Sequence, residues 1–229
     1  MKHSSQGILT THIGSLPRPK ALWELIDAKD KNKPYDRSAL DTQLKAAVTA
    51  IVRKQVQAGI DIPSDGEQSK ASFTNYVRER LSGLEGINTE PFPGPPSKYP
   101  GYEEALLARG PILAARLGTL PLNTGPLSWK NRDEVETDIR NFKEALKGLT
   151  YEEAFMPSVA VGQVFFMVPT KHFSSDRDYL YALADVLKDE YKAITDAGFV
   201  LQIDSGNGAN AKRNSPAPRG STPAPVDRS

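Results

Sequence analysis

Three stretches of this 229-residue chain place polar side chains just past apolar strand cores. The first runs Thr10-Thr11-His12-Ile13-Gly14-Ser15-Leu16-Pro17-Arg18-Pro19. Gly7 to Thr11 reads as a short strand, and Pro17 and Pro19 keep the Gly-Ser loop behind it from becoming helix at once. Such a loop offers backbone N–H groups and a hydroxyl to an anionic group. The second stretch, Gly59 to Glu67, sets Asp65 and Glu67 behind Ile60 and Ile62. The third, Val200-Leu201-Gln202-Ile203-Asp204, ends on a carboxylate in the same way. Polar groups at three strand exits match the active-site rim of α/β barrel enzymes.

The elements that would position these groups alternate strand and helix. Lys20 to Ala28 is a short helix with Leu22, Trp23, Leu25 and Ile26 on one side. Ser38 reads as the cap of a longer helix carrying Leu44, Val48, Ile51 and Val52 at helical spacing, with Gly59 as its stop. A further helix is expected from about Ser69, with Phe73, Tyr76, Val77 and Leu81 apolar. Asn131 reads as the cap of a helix carrying Val135, Ile139, Phe142 and Leu146, which Gly148 ends. Ser175 to Ala197 is the best-marked helix, with Leu180, Leu183, Leu187, Tyr191 and Ile194 in register. Strands are expected near 7–11, 60–63, 120–123, 157–160 and 199–203. Strand–helix units in series imply a parallel sheet with right-handed crossovers. Five strands are too few for the usual eight-stranded closure, which leaves an open five-stranded α/β sheet or a barrel cut short.

Two regions depart from that pattern. Residues 84–117 hold six prolines and read as an insertion between units, a lid or a partner surface, with a helical turn at Glu103 to Ala108. Residues 205–229 contain no aromatic residue, four prolines and a net charge of +3, a composition that cannot bury a core and reads as a disordered tail. The whole chain has a net charge of +1, which gives no electrostatic reason to expect nucleic acid or an acidic membrane. It has no apolar run of the length a transmembrane helix needs, and no secretory leader at its start. With no cysteine it has neither disulfide nor thiolate, and a cytoplasmic location is the default expectation.

The phrases TTHIGSLPRP, GIDIPSDGEQSKASFTNYV, PLNTGPLSW, AFMPSVAVG and ADVLKDEYKAITDAGFVLQID, in this order, resemble the catalytic domain of the cobalamin-independent methionine synthase family. The likeness is to its short single-domain members and covers roughly Gly7 to Asp204. It implies a (β/α)8 barrel of the methionine synthase and uroporphyrinogen decarboxylase type, here an incomplete one of about five βα units. It implies a methyltransferase of methionine biosynthesis, moving a methyl group from 5-methyltetrahydrofolate to a thiol such as homocysteine with zinc as cofactor. The homocysteine carboxylate would meet Ile13, Gly14 and Ser15, and its ammonium would meet Glu67 and Asp204. Hydroxyl and N–H donors suit a carboxylate, and paired carboxylates suit an ammonium. Each residue also has a plainer use: Ser15 as a turn cap, Glu67 as a helix cap, Asp204 as the last residue before a tail, and Asp65 as a structural carboxylate.

The family's zinc ligands, a His-x-Cys pair, a Glu and a second Cys, are expected beyond the fifth strand, and the likeness stops at Asp204. The chain therefore reads as truncated there, with no metal ligands of its own, no tightly held zinc and no activity alone. Its histidines, His3, His12 and His172, do not share ligand spacing. His12 lies near the expected site and His172 in a loop after the fourth strand. Small molecules are the implied partners, and an open sheet edge would let two copies pair. The alternatives are a non-catalytic barrel fragment that pairs with a partner, or a decarboxylase-like barrel. The second is disfavoured because Arg18 is the only arginine near the first loop.

Overall fold

The structure, a computed structural model, describes residues 2–5, 7–72, 75–88, 101, 121–130 and 132–206. Six helices are described: α1 (Lys20–Asp30), α2 (Arg37–Gln57), α3 (Asn75–Arg80), α4 (Asp133–Leu146), α5 (Val161–Met167) and α6 (Asp176–Asp196). The strands are β1 (Leu81–Ser82), β2 (Gly86–Ile87), β3 (Pro121–Leu122), β4 (Ser128–Trp129), β5 (Phe155–Val159) and β6 (Val200–Asp204).

Four segments run parallel in chain order. Thr11 bridges Ile62, Ser64 bridges Phe155, and β5 pairs with β6 from Phe155↔Val200 to Val159↔Asp204. Every residue of β5 is buried, as expected for a strand covered on both faces. The helices cover one side of it. Met156 packs with Val48 and Val52 of α2, Phe142 of α4 and Ile194 of α6, where the Phe142 and Phe199 rings stack at 4.7 Å. Val159 belongs to a second cluster with Tyr76, Val77, Val164, Leu183 and Leu187. The helices form for local reasons. In α2 the Asp36 side chain accepts from the Ala39 N–H at 3.0 Å, and in α6 Ser175 accepts from the Asp178 N–H at 3.1 Å. Asp133, Glu134 and Glu136 put negative charge at the positive end of α4.

Several expectations need correction. The 120–123 segment does not join the parallel set: β3 pairs antiparallel with β2, and Asn123 makes a parallel bridge to Thr170. The described residues thus hold four parallel segments in place of five, and these do not close into a barrel. Two antiparallel ladders, β1–β4 and β2–β3, build a side structure between the second and third parallel segments. Its tightness has a steric basis: Gly83 sits at φ +83, and a Cβ there would stand 2.5 Å from the Pro126 carbonyl oxygen. The expected helix from Ser69 starts only at Asn75. The cap of α2 is Asp36 and not Ser38. Residues 161–167, just past the strand expected near 157–160, form α5. Of the expected insertion, 84–88 and 101 are described; its remainder, with the turn at 103–108, Asn131 and the tail from 207 onward lie outside the described residues.

Candidate functional site

The carboxyl ends of the parallel segments form one rim. The first strand is tied to the second by Asp61, whose carboxylate accepts from the Thr10 N–H at 2.6 Å and the Thr10 hydroxyl at 2.7 Å. Those bonds hold the Asp61 carboxyl below its usual range. Past the strand ends, the loop at 12–18 meets the turn at 65–70. The Ser15 hydroxyl donates to Glu67 Oε2 at 2.5 Å, joining two sequence-predicted residues 52 positions apart. Leu16 N–H donates to the Gly66 carbonyl at 3.0 Å, and Gln68 Nε2 to the Leu16 carbonyl at 3.1 Å.

The turn has an uncommon backbone. Gly66 (φ 65°) and Glu67 (φ 54°) are both left-handed, and Glu67 is no glycine. Such a conformation costs roughly 1–3 kcal/mol and persists where surroundings over-determine it. The surroundings here are specific. Asp65, 2% exposed, accepts from the Glu67 N–H at 3.0 Å through Oδ1. Burial pushes the Asp65 carboxyl up, with nearby Lys70 pulling the other way. The Lys70 ammonium in turn donates to the Pro157 carbonyl of β5. Arg18 crosses from the loop and donates to three carbonyls, Glu67 O, Gln68 O at 3.1 Å and Lys70 O at 2.7 Å. Burial pulls the Arg18 pKa down, offset in part by Glu67 and Asp65.

The other candidates are placed as follows. Gly14 is left-handed (φ 80°), Ile13 is 71% exposed, and among the described residues no carbonyl accepts from the Gly14 or Ser15 N–H. His12 folds back on its own loop, Nε2 lying 3.0 Å from the Gly14 carbonyl. Asp204 ends β6 opposite Val159, its backbone carbonyl accepting from Ala160 N–H at 2.8 Å. Among the described residues no hydrogen bond ties its carboxylate to Ser15 or Glu67. His172 lies edge-on to Phe173 at 4.9 Å, and its backbone N–H donates to Thr170 Oγ1 at 3.1 Å. Sequence reasoning missed two rim residues. One is Arg18 as a strap. The other is Gln163, the one polar side chain in the VGQVFFM run of α5, which is buried with Oε1 unpartnered among the described residues. A Cβ on Gly206 would lie 3.6 Å from that oxygen, which sets Gln163 beside the chain leaving Asp204.

Charge is also buried behind the turn, where Lys70 and Arg80 both lie over the Tyr76 ring. Arg80, on α3, donates to Asp138 of α4 at 2.6 Å and pairs with Glu190 of α6 at 2.9 Å. Glu190 also accepts from Ser158 at 2.8 Å. Burial alone would raise the Glu190 carboxyl, but Arg80 and Lys70 outweigh it and the shift is downward. A cavity of about 160 Å³ opens beside this cluster, between Ile26, Tyr35, Arg37, Glu79 and Asp138. Ser15, Glu67 and Asp204 do not line it, but Ser69 and Lys70 of the rim turn do, so it opens behind that turn.

The zinc implied by the resemblance does not fit the donors present. There is no cysteine in the sequence, and no group of three His, Asp or Glu among the described residues is arranged to hold a metal ion. No described helix is long and apolar enough to cross a membrane.

No protein-family model matches the chain. Among solved structures, a B12-independent methionine synthase from Shewanella sp. W3-18-1, in complex with selenomethionine, superposes with a TM-score of 0.61 at 21% identity, over 86% of this chain and 51% of that one. That likeness defines the class of fold, the α/β architecture of B12-independent methionine synthases. A methionine synthase of Sulfolobus acidocaldarius is 28% identical over 203 residues, 85% of this chain and 50% of the relative. A methionine synthase of Sulfurisphaera tokodaii is 37% identical over 207 residues, 85% of this chain and 51% of the relative. The chain belongs to the cobalamin-independent methionine synthase family. It spans about half the length of the relatives it matches.

Proposed function

We propose that this chain carries the amino-acid-binding part of a methionine-synthase-like methyl-transfer site, on an arc of parallel strands in which residues 1–204 make up part of a (β/α)8 barrel. The observation that carries this reading is the Ser15–Glu67 contact at the carboxyl ends of adjacent parallel strands, in a chain related to methionine synthases. The amino acid of homocysteine lies across it. Its carboxylate takes the Gly14 and Ser15 N–H groups beside Ile13, and its ammonium takes Glu67 and Asp204. The bond from Ser15 occupies one lone pair of the Glu67 carboxylate and leaves others for an ammonium. In the reading inherited from the family, the thiol of homocysteine receives the methyl group of 5-methyltetrahydrofolate in the cytoplasm.

These residues bind and orient the amino acid. They supply no group to lower the thiol pKa, which stays near its ordinary value of roughly 8.5 and leaves the thiol mostly protonated at neutral pH. The chain by itself therefore holds the amino acid without transferring a methyl group. Calorimetric titration of the purified chain with L-homocysteine tests the reading. Glu67→Ala should weaken binding by about 1.5–3 kcal/mol, the loss of a charge-assisted hydrogen bond. Equal affinity in the variant would overturn the assignment.

A second reading rests on β6. Its one strand partner among the described residues is β5, and Ile203 is 54% exposed, so its outer edge is free to pair with another β-element, including that of a second copy. A mass that rises with concentration in sedimentation would support this reading, and a constant monomer mass would remove it.

A further inference from the structure

The Glu67 carboxylate that meets Ser15 stands on a turn of two successive left-handed residues. Three backbone carbonyls of that turn, those of Glu67, Gln68 and Lys70, converge toward one point. Converging carbonyl dipoles repel one another, and they lie where water is largely excluded: Glu67 is 6% exposed, Gln68 1% and Lys70 5%. A single group fills the point between them, the Arg18 guanidinium, donating from Nε to Gln68 and from one terminal nitrogen to the other two. Trp23 of α1 covers it, the guanidinium carbon standing 5.8 Å from the indole centroid. A lysine ammonium could not reproduce this reach, because its three N–H bonds radiate from one atom whereas the guanidinium spreads its donors along a rigid fork.

We infer that Arg18 is a positioning residue of the amino-acid site. It fixes the Gly66–Glu67 turn, and through it the carboxylate that meets the ligand ammonium. The inference rests on the amino-acid-binding reading for the ligand, and on the three carbonyl contacts for the mechanism. Its effect is local. Leu16 on Gly66, Gln68 on Leu16 and Lys70 on Pro157 still tie loop, turn and β5 together when the guanidinium is gone. What is lost is the fixed backbone angle at Glu67, not the fold.

The experiment pairs two measurements on the full chain. Without ligand, Arg18→Lys should speed amide deuterium uptake at least tenfold in peptides covering residues 64–72 and leave residues 155–159 of β5 unchanged. With L-homocysteine as the probe, Arg18→Lys and Glu67→Gln should each weaken binding at least tenfold. The double variant should bind within twofold of Glu67→Gln alone, because an arginine acting through Glu67 has nothing left to position. Arg18→Gln carries the same comparison if the lysine variant does not fold. Unchanged uptake at 64–72, uptake spreading to β5, additive losses in the double variant, or collapse of both Arg18 variants would each overturn the inference. If the wild-type chain binds no homocysteine yet the uptake change stays confined to 64–72, the amino-acid reading falls and Arg18's hold on Glu67 stands.

Discussion

The rim and the helix-side cluster both bury cations and carboxylates, and they use them in opposite ways. Around Arg80 each charge is spent on another: Asp138 and Glu190 take the guanidinium, Ser158 completes Glu190, and the Tyr76 ring lies 4.8 Å beneath the cation. At the rim the cation is spent on backbone carbonyls, and the nearby carboxylate of Glu67 has a serine hydroxyl as its partner. The cluster binds helix to helix, α3 to α4 and α6. The rim keeps an acceptor with lone pairs to offer. Burial of charge is common to both regions; what differs is the partner that each cation takes.

The largest effect should come from breaking the closed cluster. Arg80→Met strands two buried carboxylates, and about 3–5 kcal/mol of stability should be lost in urea unfolding, as for other broken buried pairs. A loss near zero would mean that the cluster is as open as the rim. The rim should respond through binding more than through stability. Glu67→Gln should cost less than about 1 kcal/mol of stability while weakening L-homocysteine binding by roughly 1.5–3 kcal/mol. Loss of stability without loss of binding would make the two regions alike.

A pH profile separates them further. Burial raises the Asp65 carboxyl above its ordinary value of 3.8, so the folded chain holds that proton more tightly than the unfolded one. Between the unfolded and the raised folded pKa the folded state binds more protons. This contribution to stability is therefore fully present below the unfolded pKa and is lost as pH rises through the folded one. Glu190, shifted down from 4.5, works in the other direction, contributing stability above its unfolded pKa that is lost in acid. Asp65→Asn should reduce the falling component, to which Asp138 and Glu79, also raised by burial, contribute as well, and Glu190→Gln should reduce the rising one, in urea midpoints measured from pH 3 to 7. Identical profiles would contradict both environments. The smallest effect belongs to neither region: Glu24, paired with Lys20 at 3.7 Å on the exposed face of α1, should change stability by no more than about 0.5 kcal/mol when replaced by Gln.

The parts legible in the sequence were those with local causes. Ser175 caps α6 because its hydroxyl lies three residues from the N–H that it accepts, and Leu183, Leu187 and Ile194 fall on one face at helical spacing. Gly59, Gly148 and Gly198 follow α2, α4 and α6 in left-handed conformations that glycine adopts without strain. The errors had a common source. Leu122 looked like part of the third of five parallel strands, yet its partner is Gly86 of a side ladder. The apolar VGQVFFM run drew no helix by its spacing, yet it follows Ala160 as a helix whose Val164 is fully buried against the second core cluster. Ser69 looked like a helix start, but the left-handed turn at Gly66–Glu67 and the contacts of Lys70 take up that segment first.

Residue types at strand exits, the Ser175 cap, glycine stops and the absence of cysteine were settled by the sequence alone, because each depends on a residue and its near neighbours in the chain. The pairing of Ser15 with Glu67, the three carbonyls gathered on Arg18 and the strand order all join positions 45 or more apart. Those contacts exist only once the strands align and exclude water, so tertiary structure alone decided which of the polar residues would face one another.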